Sequence, residues 1–231
     1  MTDEKGVYFP GESLCMYMDA AASSEPAPGG GSVSAAAGAF GASLVAMVCN
    51  VTIGKDKYAA VEEQINELIS QAEPLRRELT GLIQDDTTAY SGVISAYRMP
   101  KDTDAEKAAR HAAIQENLVR AANVPLDICR ASLRVCEMAK VAAEIGNPNA
   151  ATDAGVAALL SEAAAQGAAL NVEINLHQIE DEEYRGSALA EVTDLLAKAA
   201  ALREEVLIAT FAKLRAGSSS VASPGAYQGK P

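Results

Sequence analysis

The pattern of polar and apolar positions is dominated by one stretch, residues 26–54, which contains no charged side chain. It opens with three consecutive glycines, Gly29, Gly30 and Gly31, followed by Ser32 and a run of alanine, glycine, serine and aliphatic residues. Glycine allows positive φ and close approach of the backbone to another group. We therefore predict a loop that leads into a buried helix, whose N-terminal N–H groups and dipole favour an anion, a carbonyl or a ring heteroatom.

Two other interpretations of this stretch remain open at this stage. An uncharged run of this length can span a bilayer, but it contains Asn50 and Thr52, is rich in alanine and glycine, and has no Trp or Tyr at its ends. A glycine-rich turn before a helix can also be purely structural. The polar content favours the core helix of a helical bundle over a membrane span.

Apolar residues recur at helical spacing in five further segments, 11–22, 59–99, 104–145, 152–179 and 181–214. Pro74 and Pro125 lie inside two of them, and each predicts a kink; at Pro125, two helices in line are the alternative. The first of these segments is a short amphipathic helix that leads into the glycine loop.

Three helix starts are marked by capping residues. Thr103 and Glu106 have the spacing of a capping box. Thr152 and Asp153 predict an N-cap with a carboxylate in the first turn, and Asp181 is expected to start the last helix.

These elements predict an all-α fold, an up-and-down bundle of five to seven helices around the alanine- and glycine-rich helix. Residues 1–215 are expected to form a single domain, and the Ser, Gly and Pro content of residues 216–231 predicts a disordered C-terminal tail. Because the central helix is apolar nearly all round, a second subunit is expected to cover it, which predicts a homodimer.

Composition narrows the classes of partner. Nineteen Lys and Arg residues against 31 Asp and Glu give a net charge of −12 and a pI near 4.6, so nucleic acid and anionic membranes are not expected partners. The first twenty residues contain four acidic side chains and no apolar signal core, so we expect a cytoplasmic protein. Four scattered cysteines and two histidines form no ligand spacing, and no metal site is predicted.

Two neighbouring carboxylates fall within a long helical segment. Asp85 and Asp86 point about 100° apart, so one can face inward while the other is solvated. Tyr90 follows Asp86 by four residues and shares its face. For an arbitrary Asp-Asp pair in a helix, surface charge is the ordinary interpretation.

Two amides and a set of basic residues are the other candidates. Asn171 and Asn175 lie four apart in an otherwise apolar segment, where their side chains satisfy a helix end or loop or bind a ligand. Four basic residues near helix ends form a candidate positive rim for an anionic substrate tail, although scattered solvated charges explain them equally well: Lys55, Lys57, Arg98 and Lys101.

Seven short motifs occur together and in order along the chain. They are Pro28-Gly29-Gly30-Gly31-Ser32, Gly54-Lys55, Asp86 to Tyr90, Met99-Pro100-Lys101, Val124-Pro125-Leu126, Gly146-Asn147 with Thr152-Asp153, and Asn171-Val172 with Ile174-Asn175-Leu176. Together they resemble the formiminotetrahydrofolate cyclodeaminase / methenyltetrahydrofolate cyclohydrolase family over about residues 14–214. The finer resemblance is to the bacterial cyclohydrolase branch, through residues 47–55, 75–77 and 153–157, with Thr152 in place of the usual Ser.

The resemblance implies a homodimer that binds folate near the subunit interface and needs no metal or other cofactor. The implied reaction is the reversible hydrolysis of 5,10-methenyltetrahydrofolate to 10-formyltetrahydrofolate, by proton transfer and charge placement. Asp86 and Lys55 are the catalytic candidates, and the folate, in monoglutamate or polyglutamate form, is expected to contact eight residues: Gly29, Gly30, Gly31, Ser32, Tyr90, Asp153, Asn171 and Asn175.

Two alternatives accompany this interpretation. The first is cyclodeamination of 5-formiminotetrahydrofolate, which passes through a similar tetrahedral carbon with ammonia as the leaving group. The second is a helical scaffold without catalytic activity. A scaffold predicts that Asp86 faces solvent and that no cleft lies near the glycine loop.

Overall fold

The computed structural model of the chain describes residues 7–219, with side chains through residue 216. This part of the chain contains no strand, and the all-α prediction is confirmed. Short 3₁₀ turns at Phe9–Gly11, Asp56–Val61 and Pro148–Ala150 accompany six α-helices: α1 (Leu14–Ala21), α2 (Gly30–Asn50), α3 (Glu62–Tyr97), α4 (Asp104–Ile145), α5 (Ala151–Leu176) and α6 (Glu182–Ser219).

The long helices α2 to α6 form an up-and-down bundle. Helix α2 packs against α3, α4 and α5, while α6 packs on the far side against α4 and α5. Gly31 of α2 lies beside Asp86, and Gly38 lies beside Leu79, so α2 and α3 run antiparallel. Each later helix likewise reverses the direction of the one before it, which places the N-terminus of α2 and the C-terminus of α5 at the same end of the bundle.

Small residues let α2 approach its neighbours closely. A Cβ added at Gly41 would overlap Ser161 Oγ and lie 3.0 Å from the carbonyl oxygen of Ala157. One added at Gly38 would lie 3.0 Å from a Leu79 methyl group and 3.1 Å from Ser132 Oγ. A methyl group does not fit at Gly41 without a shift of its neighbours and is tightly confined at Gly38, so both glycines allow close packing of α2 against α3, α4 and α5.

The fourth side of α2 is exposed. Val33, Phe40 and Met47 form a stripe at seven-residue spacing, and their side chains are 44%, 51% and 46% exposed. Within residues 7–219, α2 is the one helix that is long and apolar enough to cross a membrane. However, 67% of its apolar stretch is buried inside the bundle. It is therefore a core helix with one open apolar stripe.

Most predicted helix boundaries agree with the structure within a few residues. The capping box at Thr103 is present: its hydroxyl accepts from Glu106 N at 3.2 Å, and the Glu106 carboxylate accepts from Thr103 N at 2.8 Å. Asp181 also caps as predicted, accepting from Tyr184 N at 2.9 Å. Both α3 and α4 continue through their internal prolines, Pro74 and Pro125, as single helices.

Two boundary predictions were wrong. Thr152 is not an N-cap, because α5 already begins at Ala151 after the turn in which Asn147 Oδ1 accepts from Asn149 N. Asp153 nevertheless lies in the first turn of α5. The last helix was expected to end near Leu214 but continues to Ser219, so the proposed boundary at residue 215 falls inside α6. Residues 220–231 of the predicted tail lie outside the described residues.

Two glycines provide a matched test of this packing. Gly41→Ala forces a methyl group against Ser161 and the Ala157 carbonyl, and we expect a loss of about 1–3 kcal/mol of stability. Gly81 lies inside α3, where an added Cβ meets nothing within 4 Å. Gly81→Ala should therefore stabilise the protein by up to about 1 kcal/mol through helix propensity. Denaturant unfolding of both variants measures the difference, and equal effects would contradict close packing at Gly41.

Candidate active site

A cleft of about 420 Å³ opens at the end of the bundle where α2 begins. This volume lies within the usual range for a small-molecule site. The loop before α2 and the glycines form one wall, α3 and α5 form two more, and α4 contributes the floor through Leu118 and Ala121, which are almost fully buried. Six of the ten predicted site residues line it: Gly29, Gly30, Asp86, Tyr90, Asn171 and Asn175.

The Asp86 carboxylate lies against the N-terminus of α2. Its Oδ2 accepts a hydrogen bond from Ser32 N at 2.9 Å. A Cβ at Gly31 would overlap its Oδ1, so only glycine lets the carboxylate approach the helix this closely. None of the three loop glycines has a positive φ. Close approach, and not positive φ, is therefore the reason for glycine at Gly31, and the anion at this helix end is the protein's own carboxylate.

Asp86 is the one charged side chain among the described residues that line the cleft. Burial raises the pKa of its carboxyl group, and the hydrogen bond from Ser32 N partly offsets this rise. None of the described residues that line the cleft is basic, so no side chain there compensates the ionised form. A partly buried carboxylate without a basic side chain beside it favours a cationic ligand, and its raised pKa makes it a better proton acceptor than an exposed carboxylate.

Ser32 contacts Asp86 through its backbone, while its side chain points elsewhere. The Ser32 hydroxyl is fully buried and donates to the carbonyl oxygen of Ile83 at 3.0 Å. It also lies 2.8 Å from Tyr17 OH of α1. The hydroxyl is thus engaged within the protein, and Ser32 does not present it to the cleft.

The two asparagines are anchored by their amino groups. Asn171 Nδ2 donates to the carbonyl oxygen of Gly167 at 2.8 Å, and Asn175 Nδ2 donates to those of Ala121 and Asn171 at 2.8 and 2.9 Å. Neither Oδ1 atom has a hydrogen-bond partner among the described residues. Together with Asp86 they make the polar side of the cleft rich in acceptors, which suits a ligand that carries N–H donors and positive charge.

Lys55 and Asp153 lie at the opposite end of the bundle in the same chain. Helix α2 spans 21 residues, which corresponds to roughly 30 Å between the cleft and the segment containing Lys55. Lys55 Nζ donates to the carbonyl oxygen of Val51 at 2.6 Å. Asp153 lies in the first turn of α5, and Asn171 lies five helical turns further along that helix. A single chain therefore does not bring these two residues to the cleft.

The predicted positive rim is also divided. Lys57 lies near the start of α3, with its Nζ 4.6 Å from the centre of the Tyr58 ring. Arg98 and Lys101 follow the end of the same helix, whose 36 residues span roughly 54 Å. Arg98 directly follows Tyr97, which lines the cleft, and Lys101 lies three residues further along, so the four residues do not form one rim within a chain.

Several lining residues were not predicted. Val93, Ile94 and Tyr97 lie on the α3 face that carries Asp86, and helical spacing from Asp86 would have identified them. Tyr97 OH donates to Gln178 Oε1 at 2.7 Å and so joins α3 to the end of α5 across the outer part of the cleft. Gln178 follows α5, where no local sequence pattern marks it.

Comparison with known proteins identifies the class of protein. The sequence profile described as formiminotransferase-cyclodeaminase matches residues 13–194. The chain belongs to this family, and the resemblance seen in its motifs is confirmed.

Three relatives narrow the comparison. A methenyltetrahydrofolate cyclohydrolase of Methylorubrum extorquens is 48% identical over 195 residues, which cover 84% of this chain and 94% of that protein. A formimidoyltransferase-cyclodeaminase of Rattus norvegicus is 32% identical over 187 residues, or 81% of this chain but 35% of that longer protein. The crystal structure of formiminotetrahydrofolate cyclodeaminase from Thermotoga maritima has a TM-score of 0.80 at 30% identity, covering 89% of this chain and 99% of that one.

The raised pKa of Asp86 predicts a pH-dependent stability difference. A carboxyl group whose pKa is raised on folding stabilises the fold while it is protonated, and this contribution is lost as pH rises through the folded-state pKa. Asp86→Asn removes the cost of the buried charge and leaves an oxygen to accept from Ser32 N. At about pH 7.5 we expect this variant to unfold at the same temperature as wild type or higher, with the difference shrinking toward acidic pH.

The measurement is the thermal unfolding temperature from acidic pH to about pH 7.5. Asp85→Asn is the control, because Asp85 is exposed. An Asp86→Asn variant that is less stable than wild type at neutral pH would contradict the uncompensated charge.

Proposed function

We propose that this protein catalyses the reversible hydrolysis of 5,10-methenyltetrahydrofolate to 10-formyltetrahydrofolate. The proposal rests on the composition of the cleft. Asp86 is the one charged side chain among its described lining residues, and the side-chain oxygens of Asn171 and Asn175 have no hydrogen-bond partner among the described residues. The substrate carries a positive amidinium carbon, and its ring system offers N–H donors, which match such a site. The 48% identity to the Methylorubrum extorquens cyclohydrolase supports the same assignment.

The reaction needs one group that moves protons and stabilises positive charge. Water attacks the amidinium carbon, and Asp86 accepts a proton from that water as the tetrahedral carbon forms. When the tetrahedral intermediate collapses, Asp86 returns a proton to N5, the C–N5 bond breaks, and the remaining hydroxyl releases its proton to solvent as the formyl C=O forms. Ionised Asp86 also stabilises the cation before attack, and Asn171 and Asn175 orient the ring system.

Cyclodeamination is the second candidate, because the family includes it and because its amidine substrate is also cationic. In that reaction N10 attacks the formimino carbon, and a protonated Asp86 assists the departure of ammonia. The scaffold alternative predicts a solvent-facing Asp86 and no cleft at the glycine loop. The partly buried Asp86 in a defined cleft argues against it.

The proposed substrate extends toward the outer end of the cleft. Arg110 donates to the carbonyl oxygen of Tyr97 from Nε and Nη2, at 3.2 and 3.1 Å, and its guanidinium lies 5.5 Å from the centre of the Tyr97 ring. With Arg98 and Lys101 it places positive charge where a glutamate or polyglutamate tail would leave the cleft. We assign the tail to this end because Glu25 contributes negative charge next to Pro26 and Ala27, the cleft-lining residues of the loop before α2.

Activity is tested directly with both substrates. Asp86→Asn should lower turnover by about 10²-fold or more in hydrolysis of methenyltetrahydrofolate, while Asp85→Asn changes it little. Loss of methenyl absorbance and release of ammonia from the formimino substrate are measured in parallel. Equal and small effects at the two aspartates would refute the assignment of Asp86, and wild-type activity in the ammonia assay alone would favour cyclodeamination.

The proposed enzyme is a homodimer formed through the open stripe of α2. The stripe is centred on Phe40, near the midpoint of α2, with Val33 and Met47 seven residues to either side. Antiparallel pairing of two copies about a two-fold axis near Phe40 brings Val33 of each against Met47 of the other. Helix α5, which packs against α2, adds exposed apolar side chains along its length: Val156, Leu159, Leu170 and Ile174.

This pairing gives Lys55 and Asp153 a place in the reaction. Both lie at the end of the bundle away from the cleft, so antiparallel association carries the partner subunit's Lys55 and Asp153 toward the cleft of this chain. Ile174 lines that cleft and is 60% exposed, which makes the α5 surface continuous with its mouth. We propose that each site combines Asp86 of one subunit with Lys55 and Asp153 of the other.

Phe40→Glu should break the dimer, because it buries a charge at the centre of the contact. Phe211→Glu on α6 is the matched control, since Phe211 is 52% exposed and Phe40 51%. Light scattering should show a monomer for Phe40→Glu and a dimer for Phe211→Glu.

A second experiment tests the shared site. Mixing inactive Lys55→Ala and Asp86→Asn subunits should restore activity, because a mixed dimer contains one intact site. Failure to restore activity, with exchange of subunits demonstrated, would contradict a shared site.

A further inference from the structure

Helix α1 is joined to the bundle through one aromatic side chain. Tyr17 is the single buried residue of this eight-residue helix, while Leu14, Met16 and Met18 remain more than half exposed. The Tyr17 ring packs edge-on against Phe9 with centroids 5.7 Å apart. Its hydroxyl reaches Ser32 at the start of α2, 15 residues later in the chain. Tyr17 therefore connects α1 to the glycine-loop end of the cleft.

The hydrogen bonds around Ser32 have a defined direction. The Ser32 hydroxyl donates its one proton to the carbonyl oxygen of Ile83 at 3.0 Å, so Tyr17 OH is the donor in the 2.8 Å contact with Ser32 Oγ. The backbone N–H of the same serine donates to Asp86, which lies one helical turn beyond Ile83 on α3. Ser32 thus makes two hydrogen bonds to α3, and a third hydrogen bond, from Tyr17, connects it to α1.

We propose that Tyr17 is a positioning residue that holds the Asp86 carboxylate in place by fixing Ser32 against α3. The contribution to catalysis rests on the proposed function of Asp86, whereas the positioning itself does not. Without the Tyr17 hydroxyl, Ser32 loses one of its two side-chain hydrogen bonds. The peptide that donates to Asp86 then moves more freely, and the hydrogen bond from Ser32 N weakens.

The surroundings of Asp86 make its titration a suitable probe. From α1 the titratable group is Tyr17, and from α3 itself the groups are Tyr90 and exposed Asp85. The cleft-lining residues of α2, α4 and α5 include no charged side chain. The hydrogen bond from Ser32 N lowers the pKa of Asp86 against the effect of burial. Weakening this bond should therefore raise the pKa of Asp86 further.

Tyr17 itself remains a donor at neutral pH. Burial raises the pKa of its hydroxyl group, and the negative charge of Asp86 acts in the same direction, while the hydrogen bond to Ser32 opposes them. A change in the titration of Asp86 therefore does not arise from ionisation of Tyr17.

Tyr17→Phe removes the hydroxyl and keeps the ring against Phe9. Tyr58→Phe is the matched control, because Tyr58 OH also makes a 2.8 Å side-chain hydrogen bond, to Asn147 Oδ1, at the far end of the bundle. Titration of the Asp86 carboxyl carbon is followed by ¹³C NMR without substrate, with the signal assigned from its loss in Asp86→Asn. We expect a higher midpoint for Asp86 in Tyr17→Phe and an unchanged midpoint in Tyr58→Phe.

Kinetics on the same preparations test the consequence for the reaction. In Tyr17→Phe, kcat should fall about threefold to tenfold, the effect of weakening one hydrogen bond, with KM nearly unchanged. The acidic limb of the kcat/KM profile should move to higher pH. Tyr58→Phe removes a hydrogen bond far from the cleft and should keep the wild-type profile.

An Asp86 midpoint in Tyr17→Phe equal to that of wild type would overturn the proposal, whatever the activity. If Tyr17→Phe does not fold, Ser32→Ala decides the question, since it removes the same hydroxyl contact and keeps the backbone N–H. Ser32→Ala with an unshifted midpoint would also overturn it. The two proposals can also fail separately. If the Asp86 midpoint shifts in Tyr17→Phe but the wild-type protein turns over neither folate, the proposed function is refuted and the positioning role of Tyr17 is supported.

Discussion

The hydrogen bond from Ser32 N to the Asp86 carboxylate is the interaction on which the site depends. It places a partly buried negative charge at the N-terminus of α2, where the helix dipole and the backbone N–H compensate part of its burial. Gly31 makes the contact possible by leaving room for the carboxylate. No basic side chain among the described lining residues compensates the remaining negative charge of Asp86. A cationic substrate would provide the missing positive charge.

The packing of α2 explains how one helix serves both the core and the site. Its glycines and alanines allow α3, α4 and α5 to approach on three sides, which fixes the N-terminus of α2 relative to Asp86 on α3 and Asn171 on α5. The fourth side carries an apolar stripe centred on Phe40. Proposed pairing through this stripe would link the stability of the assembly to the completion of each site.

Sequence patterns were sufficient for the helices but only partly for the site. Apolar spacing and the capping box at Thr103 identified helices that tertiary packing then preserved, even through Pro125. The N-cap predicted at Thr152 failed because the preceding Asn147 turn satisfies its own backbone groups and lets α5 begin earlier. Local signals of this kind do not reveal which of two competing residues will cap a helix.

The site required information about distance that a linear pattern lacks. Spacing marked Asp86 and Asn171 only as candidates, the family resemblance gave them roles, and the fold brings both to one cleft. Lys55 was chosen from a motif, and the length of α2 separates it from that cleft within one chain. Tyr17 carries no motif, since its contact with Ser32 arises only when α1 folds back over the glycine loop.

The central claim is that Asp86 selects a cationic folate. Its most direct test compares the dissociation constants of a hydrolysis-resistant cationic methenyl analogue and a neutral reduced folate, in wild type and in Asp86→Asn, at a pH where Asp86 is ionised. We expect wild type to bind the cation at least about tenfold more tightly than the neutral folate, and Asp86→Asn to lose that preference. An undiminished preference in Asp86→Asn would contradict the account.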